Sequence, residues 1–413
     1  MRGDTRRIAA LHTILWEPLY PSWQRQYAID QLLIHDPQFK AKLADRIVLL
    51  KNWQVRQYVF DLAIERGWVD FTPTLVRAYA QTAYGMKDVE RPERAAIEKL
   101  NPGKTIEQVI VEIFTSADSG YDDKQQMAAW ALLNRISEPQ TLIGLLEGRT
   151  ESSPLVLDLK ATAEQLRVLP RNREGVLWMR YLREDAGNSF WDSARNMVAS
   201  IPPERLDRLE LRHLPVLLQA GSDNLRRGRR ELIERIEHRL SLAEHTYKGP
   251  TYDAPMSQHP QRFAAWRSDL AWADLVTIEV MLDLIEDREI SRQLFAQADA
   301  DIQDPTTEYG GVIDLADGRL VAQRYEPIAR VHKWKYVPSQ EMIHHLYKAL
   351  AHYHFHAQHH HNGAHAGPGR GDLRLADSLR PNGLVFTFIT PDKMNVDYYQ
   401  PGKVVVDLGM IQR

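Results

Sequence analysis

The stretch His352-Tyr353-His354-Phe355-His356 alternates histidines with aromatic residues over five positions. Side chains at positions i and i+2 of a β-strand point to the same face, so this alternation predicts a strand with its imidazoles on one face. Imidazole is a frequent zinc ligand, and His354 and His356 together can hold one ion. The segment therefore predicts both a strand and half of a metal site.

Two carboxylates flank the histidines in the chain. Asp372 follows them at the predicted start of a helix and can supply a third ligand, which leaves a fourth position open for water. Glu308 precedes them at the predicted start of a strand and, if it is not a ligand, can accept the proton of that water. The chain contains no cysteine, so thiolate ligands, a cysteine nucleophile and disulfides are excluded. The residues thus outline a zinc hydrolase.

Composition places the chain among ordinary globular proteins. Its 413 residues, 44% hydrophobic and 26% charged, leave room for two or three domains. The formal net charge of -3 gives no overall attraction to nucleic acid or to an anionic membrane, and the basic cluster at 226–230 is followed by glutamates that can pair with it. No window has the length or apolarity of a membrane span or a signal peptide. We expect a cytoplasmic protein without a nucleic-acid or membrane partner.

Residues 1–247 show helical periodicity throughout. One apolar stripe contains Val55, Val59, Leu62 and Ala63, and Gly67 closes it. Short helices of this kind, separated by proline and glycine, resemble HEAT-like helical repeats, in which paired helices stack and bind partners over an extended surface. An irregular all-α bundle is the alternative. We expect this domain to bind a protein partner or to position a substrate.

The remainder of the chain has a mixed pattern. Residues 248–262 are rich in turn-forming residues and predict a linker, and residues 263–413 predict an α/β domain. The predicted order is helix, hairpin, helix, strand, short helix, strand and strand. Asp317-Gly318 marks the hairpin turn, Ser339 can cap the second helix, and residues 397–401 are expected to form a surface turn.

Three motifs in the second half carry a family resemblance. They are Glu308-Tyr309-Gly310-Gly311, Tyr353-His354-Phe355-His356 and Pro368-Gly369-Arg370-Gly371-Asp372. In this order they resemble the JAMM motif of JAB/MPN metallopeptidase domains, which has an upstream glutamate, H-x-H-P and S-x-x-D. The resemblance covers residues 265–413 approximately. It implies a cytidine-deaminase-like α/β fold.

The resemblance also implies a chemistry. His354, His356 and Asp372 would bind zinc, and Glu308 would act as the general base that passes a proton to the leaving amine. The implied activity is that of a deubiquitinase-like isopeptidase or peptidase. Its substrates would be conjugates of ubiquitin-like or small sulfur-carrier-like proteins, joined through their C-terminal tails.

The chain departs from the motif at three places. Ala357 replaces the proline, residues 358–365 form a histidine-rich insertion, and Gly369 replaces the serine whose hydroxyl helps to hold the oxyanion. A non-catalytic MPN-like scaffold that keeps the fold, with or without the metal, is therefore an alternative, and a metal-handling role of the insertion is a third. His352 shares the predicted face and is the alternative ligand.

Overall fold

The computed structural model of the protein describes residues 2–81, 86–116, 124–147, 153–184, 187–246, 260–316 and 318–413. The chain divides into two compact units, Met1–Lys160 with Arg171–Arg173 and Ala161–Pro170 with Glu174–Arg413. Most of the predicted linker at 248–262 lies outside the described residues, so the domain boundary there stays a prediction. The helices of residues 174–246 belong to the same unit as the C-terminal residues.

The first unit is helical. Its helices are α1 (Arg2–Trp16), α2 (Ser22–His35), α3 (Phe39–Arg46), α4 (Trp53–Glu65), α5 (Thr72–Ala80), α6 (Pro92–Leu100), α7 (Ile106–Thr115), α8 (Lys124–Ile136) and α9 (Pro139–Glu147), and α10 (Pro154–Leu166) contains the division between the units. The predicted stripe of α4, from Val55 to Ala63, is buried. Helix α1 packs on α2, α2 on α4, α4 on α6, and α7 on α8. Helices near in the chain are thus neighbours in space, while their identity as HEAT-like repeats stays a prediction.

The second unit combines helices with a sheet. The helices are α11 (Arg173–Glu184), α12 (Gly187–Ser200), α13 (His213–Gln219), α14 (Gly221–Arg226), α15 (Arg229–Leu242), α16 (Trp272–Glu286), α17 (Arg288–Ile302), α18 (Gln340–Leu346) and α19 (Arg370–Leu379). The strands are β1 (Gly310–Ala316), β2 (Arg319–Tyr325), β3 (Ala351–His356), β4 (Gly383–Thr390), β5 (Lys393–Gln400) and β6 (Val404–Gln412). None of the described helices is long and apolar enough to cross a membrane.

The six strands form one mixed sheet in the order β2-β1-β3-β4-β5-β6. Only β3 and β4 run parallel, and α19 makes the crossover between them; the other neighbouring pairs are antiparallel. The prediction of an all-α region followed by an α/β region is confirmed at this level.

Helices cover both faces of the sheet. On the face that carries the histidines, Met342 of α18 packs near Val312 of β1, and Leu373 of α19 packs near Val385 of β4. On the opposite face, Phe295 of α17 contacts Phe388 of β4. A gap between α18 and α19 opens onto the histidine face, and this gap is where the candidate site lies.

Several local predictions can be compared with the structure. The hairpin pairs Ala316 with Arg319 around the predicted turn, of which Asp317 lies outside the described residues. Ser339 caps α18 by accepting the N–H of Met342 at 3.2 Å. The first helix of the predicted order, α16, is buried on nearly every side, because α13, α15, α17 and β6 surround it.

The prediction of a surface turn at residues 397–401 is wrong. Residues up to Gln400 belong to β5, which pairs with β4 on one side and β6 on the other. Its polar side chains are buried and bond to one another, as Asn395 does to Asp397 and Tyr398 to Gln400, both at 2.8 Å. Polar composition therefore misled the prediction, because these residues form hydrogen bonds with one another inside the sheet.

A buried charge cluster joins α13, α16 and the sheet. Arg212, just before α13, donates to Asp274 of α16 at 2.6 Å and to Asn382 beside β4 at 3.0 Å. His213 contacts the same carboxylate at 3.0 Å. Burial alone would raise the pKa of Asp274, but the charge of Arg212, with the contact of His213 and the N–H of Ala271, outweighs burial and holds the pKa far below its usual range. The buried charges of Arg212 and Asp274 thus stabilise each other, and loss of either one would leave the other poorly compensated.

Candidate metal centre

Strand β3 and helix α19 bring the predicted ligands together. His354 and His356 lie on one face of β3 with 4% and 5% of their surfaces exposed. Because α19 returns the chain over that face to the parallel strand β4, the first turn of α19 places Asp372 beside His354. One ligand atom from each of the three residues lies within 4.8 Å of the other two. The group can hold a metal ion.

One distance between the ligands matches a tetrahedral ion. The distance from His354 Nε2 to Asp372 Oδ2 is 3.3 Å. Two ligands of a tetrahedral zinc ion, each about 2.0–2.1 Å from it, lie roughly 3.3 Å apart. His354 Nε2 is buried, and among the described residues it makes no well-aligned hydrogen bond, although it lies 3.3 Å from the Asp372 carboxylate. A poorly satisfied buried nitrogen is costly unless a further ligand binds it. The donor set also suits other divalent ions, so zinc itself is not determined by these distances.

Neighbouring backbone groups orient two of the ligands. His356 contacts the carbonyl of His365 through Nδ1 at 2.6 Å, and when Nδ1 donates this bond Nε2 is free to bind a metal. Asp372 accepts the backbone N–H of Gly369 at 2.6 Å through Oδ2. Both ligands are therefore held in place before any ion arrives.

The three ligands differ in their protonation. Burial lowers the pKa of His354, but the charge and the contact of Asp372, together with the charges of Glu308 and Asp301, outweigh burial and raise the pKa to about 9. Burial would raise the pKa of Asp372, but the charge of His354 lowers it far below its ordinary value. Burial, with the nearby charge of His354, lowers the pKa of His356 to about 4. In the metal-free protein, His354 thus carries the positive charge that an ion would replace.

Glu308 lies beside this group. It precedes β1, and continuing the β1–β3 register places it opposite His356. Burial raises the pKa of Glu308 to about 7, and the charges of His354 and Asp372 act on it in opposite directions. Glu308 and the three ligands line one cavity of about 390 Å³. The carboxyl group can therefore gain or lose a proton near neutral pH, within reach of the metal group.

His352 shares the face of the ligands, as predicted, and lines the same cavity. Its Nε2 contacts the hydroxyl of Tyr399 at 3.1 Å, and burial lowers its pKa to about 3. His352 is thus a neutral neighbour whose ring is already occupied by another partner.

Gly369, at the position of the motif's serine, also lines the cavity. Glycine has no hydroxyl to donate, and the backbone N–H of Gly369 donates to Asp372. The backbone donor that could have replaced the missing hydroxyl is therefore used to orient a ligand.

The inserted histidines point to separate partners. His359 and His361 are exposed, and His360 packs its ring against Phe388 at 5.0 Å between centroids. The ring of His365 lies 5.0 Å from that of Trp334 at the cavity. Within the described residues, these histidines do not assemble a second metal group.

Sequence reasoning missed three polar residues near the site. Gln358 donates to Glu308 at 3.0 Å, and Asn362 donates to the carbonyl of His356 at 2.9 Å. Asp301 of α17 accepts the N–H of Tyr309, and burial with the nearby charge of Glu308 raises its pKa to about 8. The insertion and α17 come to the site only through the fold, so no local pattern identified these residues.

Comparison with known proteins assigns no family to the chain. No protein-family model, curated protein or solved structure was found to match the chain. The resemblance to the JAMM motif therefore stays a hypothesis, and the function has to be argued from the residues of the site.

Proposed function

We propose that the chain is a zinc-dependent isopeptidase or peptidase of JAMM type. The observation that carries the proposal is a group of two histidines and an aspartate with a separate carboxyl group, Glu308, in the same cavity. Catalytic zinc sites use three protein ligands and keep one position for water. A nearby carboxyl group whose pKa is close to 7 suits a general base and acid.

In this proposal, His354, His356 and Asp372 hold the ion. Zinc bound there would polarise the substrate carbonyl and lower the pKa of a water molecule. Glu308 takes a proton from water as the water oxygen bonds to the carbonyl carbon. It then gives that proton to the amine nitrogen as the carbon–nitrogen bond breaks. The products are a carboxylic acid and an amine, and Glu308 returns to its initial state.

The shape of the cavity bears on the substrate. Its volume of about 390 Å³ suits a short segment of chain, and Trp334, Met342 and Leu375 give it apolar walls. A substrate with a flexible tail can enter such a cavity, whereas a folded domain remains outside. We therefore propose ubiquitin-like or sulfur-carrier-like conjugates as substrates, with the helical region as a surface for a protein partner.

A non-catalytic scaffold is the second candidate, and one observation favours it. The N–H of Gly369 is bonded to Asp372, and the serine hydroxyl of the motif is missing. Loss of one oxyanion donor costs on the order of a hundredfold or more in rate. A scaffold of this kind would retain the metal without efficient turnover.

The deciding experiment measures zinc per chain and hydrolysis of an isopeptide-linked conjugate in the same preparation. One zinc that survives dialysis, with hydrolysis that a chelator stops and added zinc restores, supports the enzyme. One zinc without hydrolysis supports the scaffold, and several weakly held ions point to the histidine-rich insertion. A protein that binds no zinc refutes the metal site. His354→Ala is the matched control for each measurement.

A further inference from the structure

Gln358 begins the insertion that separates this chain from the motif. It lies two residues after His356, and its side chain is partly buried. Its Nε2 donates to Glu308 Oε1 at 3.0 Å and to the carbonyl of Lys333 at 3.0 Å. Both side-chain protons of the amide are therefore directed to acceptors, and one of these acceptors is the proposed base.

Asn362 fixes the orientation of this amide. Its Nδ2 donates to Gln358 Oε1 and, at 2.9 Å, to the carbonyl of His356. Asn362 is fully buried, and its backbone N–H donates to the carbonyl of Phe388 at 2.8 Å. Because the oxygen of Gln358 faces a donor and its nitrogen faces two acceptors, the opposite orientation of the amide would lose these bonds.

We propose that Gln358 is a positioning residue that holds the carboxyl group of Glu308 at a fixed place relative to the metal ligands. The inference rests on the proposed function. Asn362 links Gln358 to the backbone of the ligand His356, so the base and a ligand share one chain of hydrogen bonds. Because Gln358 holds one oxygen of Glu308, the carboxyl group does not have to rotate into position before it transfers a proton. Such pre-positioning lowers the activation barrier of the reaction.

The insertion thus acquires a role other than metal storage. Its first residue contacts the base, its fifth contacts Gln358, and the carbonyl of its eighth, His365, holds the ligand His356. Groups that orient ligands and bases commonly change metal affinity or activity by roughly tenfold to a hundredfold when they are replaced.

The test uses the full chain loaded with zinc and a conjugate that the wild type cleaves. Gln358→Leu removes the donor, and Gln358→Glu keeps the shape without being able to donate when ionised. Both variants should keep one zinc per chain and an unchanged KM, while kcat falls roughly tenfold to a hundredfold. His359→Leu changes an exposed neighbour and is the matched control, with wild-type kcat expected.

A double variant separates positioning from general stability. If Gln358 acts through Glu308, Gln358→Leu should cause no further loss of kcat in a Glu308→Gln background. Multiplied losses, a wild-type kcat in Gln358→Leu, or loss of zinc from both single variants would each overturn the proposal. Unfolding temperatures of all variants identify any that fail to fold.

One readout does not depend on activity. In the metal-free protein, the side-chain NH₂ signal of Gln358 can be assigned by NMR, because it is missing from Gln358→Leu. This signal should shift in Glu308→Gln, and an unmoved signal would refute the contact. If the zinc-loaded wild type cleaves nothing, the proposed function fails, and the NMR result alone decides whether Gln358 holds Glu308.

Discussion

Zinc binding should release protons, because His354, Glu308 and the nearby Asp301 carry protons near neutral pH. Without metal, the charge of Asp372 raises the pKa of His354 to about 9 despite burial, so His354 is almost fully protonated at pH 7. His356, whose pKa burial lowers to about 4, has no proton to lose at this pH. Since zinc binds neutral imidazole, the ligands together should release about one proton per ion.

Glu308 should add a fraction of a proton. Burial raises its pKa to about 7, so it is about half protonated at pH 7, and a nearby divalent cation favours the ionised carboxylate. The wild type should therefore release at least about 1.5 protons per zinc ion at pH 7, and Glu308→Gln about half a proton fewer. Displacing the His354 proton at a pH two units below its pKa costs about 2.7 kcal/mol.

Calorimetric titration with zinc in two buffers of different ionisation enthalpy gives the number of protons released. Apparent zinc affinity should rise about tenfold per pH unit or slightly more from pH 7 towards 9, and then level off. A release near zero at pH 7, or an affinity that does not change between pH 7 and 9, would refute the assignment of a protonated His354 beside Asp372. If the wild type and Glu308→Gln released equal numbers of protons, Glu308 would not be a titrating group beside the bound ion.

Three other predictions test the roles of single residues. Glu308→Gln should keep its zinc while hydrolysis falls roughly a hundredfold or more, whereas His354→Ala and Asp372→Ala should lose metal and activity together; loss of zinc from Glu308→Gln would make Glu308 a ligand. Asp274→Asn should lower the free energy of unfolding by about 3 kcal/mol in chemical denaturation, because it removes the carboxylate that Arg212 contacts at 2.6 Å while Glu210, at 3.3 Å, remains. The exposed Asp392→Asn is the control, and equal stability of the two variants would contradict this expectation. Gly311→Ala should destabilise the β1–β2 pair, since the added Cβ would lie 1.9 Å from the carbonyl oxygen of Gln323, while Gly228→Ala has free space and should leave the unfolding temperature unchanged.

The candidate ligands could be predicted from sequence because their signals are local. Alternation along β3 defines the face of His354 and His356, and the glycine-rich turn before a helix places Asp372 in a first turn. Glu308 could be placed at a strand start for the same reason. In each case, the position depends on backbone geometry within a few residues.

The remaining features depend on tertiary contacts. Residues 397–400 belong to strand β5 and not to the predicted turn, because Asp397 and its polar neighbours form their hydrogen bonds inside the sheet. Gln358 and Asn362 lie in a loop whose path has no local pattern, and Asp301 reaches the site from another helix. Buried polar residues of this kind are recognised only when their partners are known.

The cluster around Arg212 has a practical consequence for anyone who wishes to produce the sheet-containing part of the chain by itself. A fragment that begins at residue 260 contains Asp274 and Asn382 but omits the arginine that both of them bind. Such a fragment would expose the surfaces that α13 and α15 cover on α16 and would be prone to aggregate. An expression boundary near residue 174, where the second compact unit resumes, keeps the arginine and its partners in one fragment.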